Sequence, residues 1–281
     1  MIRKSVNLIL WIAILAASVA VAAAQPNGTR VSEPAPAFPF AVGESLTYEG
    51  KLSKIIQGIS VAELTFAVNE APDSDHFLIK AEARSKGTLM KLFRFSFLQQ
   101  IDSTIDRKEL FAYATAKHDV QKDRVRDSLA DFDYDESRVT YVETDPNEPM
   151  RPPRHIASEL AGETHDLISG IYLLRTLPLQ VGRTFNLKIS DSGLVYDIPV
   201  KVTGRERQKT EIGRVMCYRV EPDVFGAGRL IERDGSMVIW VTDDARRIPV
   251  RARVKTSFGK LEIKLRSITP SRQSITPPTK D

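Results

Sequence analysis

The strongest constraint on this chain is a two-residue hydrophobic period repeated in many short segments. Ala62, Leu64, Phe66 and Val68 alternate with Glu63, Thr65 and Ala67, and Phe77, Ile79, Ala81 and Ala83 alternate with Lys80, Glu82 and Arg84. Farther on, Val238, Trp240 and Thr242 interleave with Ile239 and Val241. Val250, Ala252 and Val254 interleave with Arg251, Arg253 and Lys255, and Leu261, Ile263 and Leu265 with Glu262, Lys264 and Arg266. Phe93, Phe95 and Phe97, separated by Arg94 and Ser96, fit the same pattern. Neighbouring side chains of a strand point to opposite faces, so each run sets one face on a core and the other in water. Turn signals at Pro72–Asp75, Asp191–Gly193 and Asp243–Ala245 separate the runs. This spacing predicts a mainly β fold, an antiparallel curved sheet of half-barrel or barrel-like form.

One segment breaks the period. Leu167, Ile168, Ile171, Tyr172, Leu174 and Leu177 follow helical spacing, which predicts one helix near residues 164–177. Thr164 suits its N-cap, Asp166 its first turn, and Arg175 its last turn before Pro178. Just ahead, residues 145–162 contain Pro146, Pro149, Pro152 and Pro153 and read as a long surface loop. The expected organisation is a β-rich domain over 40–268. Its parts are a front sheet (40–144), the loop, a helix that plugs or covers the sheet, and a rear sheet (180–268).

The ends read differently. Arg3 and Lys4, an apolar run from Leu8 to Val21, and Ala22-Ala23-Ala24 compose a signal peptide over 1–24, cleaved after Ala24. Export to the periplasm or beyond follows, with contact to the membrane peripheral at most after cleavage. Residues 25–39 read as a flexible leader and 269–281 as a disordered tail, since both are rich in Pro and polar residues. The formal net charge of +4 includes Arg3 and Lys4, so the remaining surface is nearly balanced and offers no footprint for nucleic acid.

Motifs for chemistry are absent from the sequence. His76, His118, His155 and His165 form no close pair with zinc spacing. There is no Gly-x-Ser-x-Gly elbow and no phosphate-cradling glycine loop. Asp131, Asp133 and Asp135 lack the Gly and distal Glu of a calcium loop. Cys217 stands alone and reads as a buried apolar side chain. No catalytic residue, metal or cofactor is expected. His118-Asp119 and His165-Asp166 are the pairs that a composite hydrolase site could use.

An ordered set of landmarks carries a resemblance. These are Phe40 to Tyr48 (FAVGESLTY), Gly58 to Phe66 (GISVAELTF) and His165 to Arg175 (HDLISGIYLLR). The strand after Val181-Gly182, Ile239 to Val250 (IWVTDDARRIPV) and Phe258 to Leu265 (FGKLEIKL) follow in that order. The chain resembles, over about 40–268, the bacterial family called domain of unknown function 3108. That resemblance implies an exported, β-rich protein and supplies no catalytic residues. The function expected is non-enzymatic binding of an apolar or amphipathic ligand, a lipid or glycolipid. Phe93, Phe95, Phe97, Tyr172 and Trp240 are the candidate contacts. The alternative is a structural or assembly module that binds an envelope protein or a glycan through residues 145–162.

Overall fold

A computed structural model describes residues 38–53, 58–73, 75–160, 162–257 and 259–269. The expected signal peptide, most of the leader and nearly all of the tail lie outside the described residues. The described chain forms fourteen strands and two helices. The first half holds β1 (Ser45–Ser53), β2 (Ile59–Glu70), β3 (His76–Ser85), α1 (Gly87–Phe93), β4 (Phe97–Asp106), β5 (Ala112–Gln121), β6 (Arg124–Asp133), β7 (Arg138–Thr144) and β8 (Arg154–Glu159). After α2 (Leu167–Thr176) come β9 (Thr184–Asp191), β10 (Leu194–Thr210), β11 (Gly213–Pro222), β12 (Gly235–Thr242), β13 (Pro249–Thr256) and β14 (Gly259–Thr269).

All fourteen strands belong to one antiparallel sheet, in the order β8 back to β1, then β14 back to β9. β1 pairs with β14 from Ser45↔Thr269 to Ser53↔Lys260, so the first and last strands meet in the middle. The expected front and rear sheets are therefore halves of a single sheet. The expected loop 145–162 also needs correction, because Arg154–Glu159 pairs with β7 as edge strand β8. Pro152 and Pro153 precede that strand, where a missing N–H breaks no ladder, and their presence disguised it.

The sheet curls without closing. β8 and β9 are its edges, and residues 164–166 bridge the gap between the two halves. The Thr164 carbonyl accepts from the Ala112 amide on β5 at 2.9 Å. The His165 amide donates to Lys188 on β9 at 3.0 Å, and its carbonyl accepts from Ser190 at 2.7 Å. His165 Nδ1 donates to the Leu110 carbonyl at 2.9 Å. Burial lowers its pKa and keeps the ring neutral. The helix starts two residues later than the sequence suggests. Asp166, not Thr164, is the N-cap, accepting from the amides of Ile168 and Ser169 while Ser169 Oγ accepts from the Asp166 amide. Pro178 forces Leu177 into extended backbone and ends α2.

The helix fills the barrel. Leu167, Ile168, Tyr172 and Leu174 are buried in a core shared with β1–β4 and β9–β14. Arg175 goes with them and is 1% exposed. Its guanidinium donates to both oxygens of Glu44, at 2.5 and 2.9 Å, and to the carbonyls of Pro39 and Arg246. The rings of Phe40 and Tyr172 lie 5.2 and 5.3 Å from it. Burial opposes that charge, and the Glu44 carboxylate overrides burial, so its pKa stays above the usual arginine value.

A second layer covers part of the outer face. β10 and β11 run past the sheet as a hairpin arm, with a register shift between Val202 and Gly204. The arm crosses the outside of β12–β14. Glu206 accepts from Trp240 Nε1, Gln208 from Arg251 at 2.9 Å, and Glu211 from Arg266 at 2.5 Å. Met237 through Thr242 are consequently buried on both faces.

The Arg175–Glu44 pair yields a test. Removing one partner of a buried pair leaves an uncompensated charge and costs about 3–5 kcal/mol. Glu44→Gln should lose that much unfolding free energy in urea, while Glu44→Gln with Arg175→Met should recover at least half. A single variant within about 1 kcal/mol of the parent, the scale of an ordinary substitution, would show the pair to be dispensable.

Candidate functional site

The residues expected to touch a ligand do not form a site. Phe93 ends α1 rather than lying in a strand, and its side chain is outside the described set. Leu89, Leu92 and Phe93 carry helical spacing, and Arg94, with a φ of 50°, breaks the helix before the chain becomes extended. Phe95 and Phe97 are buried in the core. Tyr172 is buried beside Phe40, with ring centroids 4.8 Å apart. Trp240, 2% exposed, lies on the opposite face, beneath the arm and between Arg251 and Arg253. Those arginines pair with Glu262 and do not form an open basic face. His118 and Asp119 project from opposite faces of β5: His118 meets Asp127 outside, and Asp119 meets Arg124 inside. His165 and Asp166 are spent on bridging and capping. Asp133 accepts from the Glu136 amide at 2.8 Å and serves a turn.

The recessed concavity lies elsewhere, on the inner face of β4–β8 where the β9–β10 turn closes over it. Cross-strand register assigns its walls. Ile101 opposes Lys117, which opposes Ser128; Asp119 opposes Arg126; and Ala130 opposes Tyr141. Directly paired residues share a face. The wider part has a volume of about 190 Å³ and is lined by Gln99, Lys117, Asp119, Gln121, Arg124, Arg126, Ser128, Tyr141, Glu143, Arg154 and Ser192. A narrow end of about 30 Å³, the space of one water, continues to Thr115, Asp166, Ser190 and Asp191.

A hydrogen-bonded network lines this crevice. The Tyr141 hydroxyl donates to Glu143 at 2.9 Å. Burial pushes that hydroxyl up to about 12, against hydrogen bonds from Ser128 and Ser192. Arg126 pairs with Asp145 and reaches Glu143 at 4.0 Å, and Arg124 contacts Asp119 at 2.8 Å. Thr115 Oγ donates to Asp166 at 2.5 Å. Asp191 keeps part of its surface in water, yet protein crowds its carboxyl. Burial raises its pKa and Asp166 raises it further, against the pull of Lys117, Ser192 and Arg154. Ser190 Oγ is buried at the narrow end with no hydrogen-bond partner among the described residues.

Tertiary contact holds the crevice shut on one side. The β9–β10 turn rests on β7 and β8, where Val195 joins a small core of Ala112, Ala130, Phe132, Val139, Tyr141 and Leu160. Gly193 sits at the contact with a φ of 79°, and a Cβ there would come within 2.6 Å of Tyr141 Cβ. A broader depression of about 640 Å³ marks the outer face of β2–β6. It is shallow and floored by solvent-screened pairs such as Lys80–Asp102 and His118–Asp127.

The fold and the crevice together define a barrel-like β protein with a helix-plugged interior and a recessed polar site at its seam. Residues 45–266 match the family described as protein of unknown function (DUF3108), and the chain belongs to that family. A crystal structure of a β-barrel-like protein of domain of unknown function 1849 from Brucella abortus is similar in fold. Its TM-score is 0.55 at 10% identity, with 83% of this chain and 99% of that one covered. A putative exported protein with a YmcC-like fold from Bacteroides fragilis aligns at TM-score 0.35 and 12% identity, over 83% and 98% of the two chains. No curated protein matches the chain.

Two outcomes test this geometry. Gly193→Ala combines a disfavoured backbone region with a clash and should cost about 1–3 kcal/mol, read as a lower Tm. Asp191 has a raised folded pKa, so its ionised form opposes folding above the ordinary Asp range, and that penalty vanishes once the group is protonated in both states. Asp191→Asn should therefore raise the Tm at pH 7, and the gain should shrink by pH 4. A constant gain across that range would place its cause outside Asp191 ionisation.

Proposed function

We propose that this chain is a non-enzymatic binding protein of the bacterial cell envelope that holds an amphipathic ligand by its polar head. The observation that supports this is the crevice: a recessed, hydrogen-bonding cavity assembled from five strands and a turn. Concave sites with a few convergent polar groups are where folds of this size hold small molecules. The volume beneath the sheet, where a wholly apolar ligand would sit, is occupied by Ile168, Tyr172 and Leu174. This favours recognition of the polar end of a lipid or glycolipid. Placement in the envelope rests on the signal-peptide pattern of residues 1–24.

The test is native mass spectrometry of protein purified gently from its own host's envelope. A bound mass of lipid or glycan size, lost on denaturation and absent from a crevice variant such as Ser128→Trp, is expected. A clean apo mass from several preparations would overturn the reading. It would favour the assembly-module alternative, in which the exposed edge strand β8 offers backbone groups to a partner.

A further inference from the structure

The two edges of the sheet end differently. The segment ahead of α2 covers β9, where His165 donates its amide to Lys188 and accepts from Ser190. Among the described residues, β8 carries backbone hydrogen bonds on its β7 side only. The Leu160 amide donates to Ser137, just ahead of β7, at 2.8 Å. Antiparallel bonding alternates along a strand, so Ser158, Ile156 and Arg154 also direct their backbone groups to β7. The amides and carbonyls of His155, Ala157 and Glu159 point the other way, and these three residues are exposed. The β9–β10 turn packs on the inner face, against Ile156, and leaves that row clear. No proline, lysine or bulge blunts the edge from His155 to Glu159.

An open row of backbone donors and acceptors is a template for one more strand. This row fits its own copy. A second β8, related by a two-fold axis normal to the sheet at Ala157, runs antiparallel and keeps inner face beside inner face. The outward groups then form three bonded pairs: His155 with Glu159 of the second copy, Ala157 with its counterpart, and Glu159 with His155. Each pair exchanges two hydrogen bonds. An axis at Ile156 would instead set Glu159 opposite Pro153, which has no N–H to give. The side chains agree with the register at Ala157. His155, Ala157 and Glu159 share the outer face with Val142, Thr140 and Arg138, their partners on β7. Ala157 is the residue that symmetry sets against itself, so neither bulk nor like charge opposes contact on the axis. To either side, Glu159 of the second copy stands between His155 and its own Arg138. We infer that two copies of this chain pair through β8 into one continuous antiparallel sheet. The pairing closes at two, because it uses the open edge of both.

The experiment follows the mass of the purified protein by sedimentation velocity at rising concentration. One strand pair is a small interface, so a reversible monomer–dimer equilibrium is expected. Ala157→Pro removes the central donor from both copies and should abolish the dimer. That N–H faces away from β7, so the variant should keep the parent's Tm. Glu159→Lys reverses the charge facing His155 and should weaken the dimer roughly tenfold, and adding His155→Glu should restore it. A short bismaleimide should cross-link Ala157→Cys. Leu129→Cys, exposed but two strands inland, sets its thiols about 24 Å apart in the paired sheet and should not link. The native Cys217 is buried, so the introduced thiol is the one that reacts. The cross-linking arm decides the matter even if Ala157→Pro unfolds. A parent that stays monomeric up to about 1 mM, a dimer that survives Ala157→Pro, or equal cross-linking of the two cysteine variants would each overturn the inference. Ala157 does not line the crevice, so none of these outcomes touches the ligand-binding reading.

Discussion

The buried pair of Arg175 and Glu44 ties three parts of this protein together. Arg175 belongs to the helix, Glu44 to the approach to the first strand, and the same guanidinium takes the carbonyls of Pro39 and Arg246. A guanidinium buried this deeply is tolerable only with its charge answered; both terminal nitrogens of Arg175 are hydrogen-bonded, while its Nε has no partner among the described residues. The aromatic rings of Phe40 and Tyr172 complete the enclosure. The helix is thereby held at one depth inside the curl of the sheet, and that depth sets where its capping residue Asp166 meets Thr115 at the narrow end of the crevice. A plug that could slide would leave no defined floor for a site.

The open seam explains why the site is polar. A closed barrel would pair β8 with β9 and pack the inner face throughout. Here the edges stay apart, and Thr164 and His165, just ahead of the helix, bridge β5 to β9 by backbone hydrogen bonds. On one side of that bridge, small apolar residues and Phe132 fill the space with Val195. On the other side, water reaches the inner faces of β5 to β7, and Lys117, Arg124 and Arg126 can face inward without the penalty of full burial. Recession and incomplete closure are thus one feature seen from two directions.

Trp240 shows where sequence periodicity misleads. Its alternation with Ile239 and Val241 is real, yet both faces of β12 are buried because the β10–β11 arm folds over the outside. The arm's hold depends on Glu206, Gln208 and Glu211 finding partners on three successive strands. None of those partners is near in sequence, so local pattern cannot announce a second layer. The Phe93–Phe97 run misleads differently: α1 ends at Phe93, and Arg94 in left-handed backbone, followed by Phe95 and Ser96, separates that helix from β4.

By itself, the sequence determined the mainly β class, the antiparallel strands of the core and the longer of the two described helices, Leu167–Thr176, but not the short helix Gly87–Phe93. Alternation and helical spacing are local physical signals, readable within ten residues. The family landmarks were legible in the same way, as an ordered series. Part of the candidate site left a trace as well. Lys117, Asp119 and Gln121 on β5, followed by Arg124, Arg126 and Ser128 on β6, occupy the inward register, so these strands lack an apolar face at their shared end. Tertiary structure alone decided the joining of two expected sheets through β1 and β14, the strand hidden behind Pro152 and Pro153, and the meeting of Tyr141, Arg154 and Asp191 around one crevice. These depend on which strand edges find each other and how far the sheet curls before the helix stops it. Such long-range choices are set by packing, and no short window of residues encodes them.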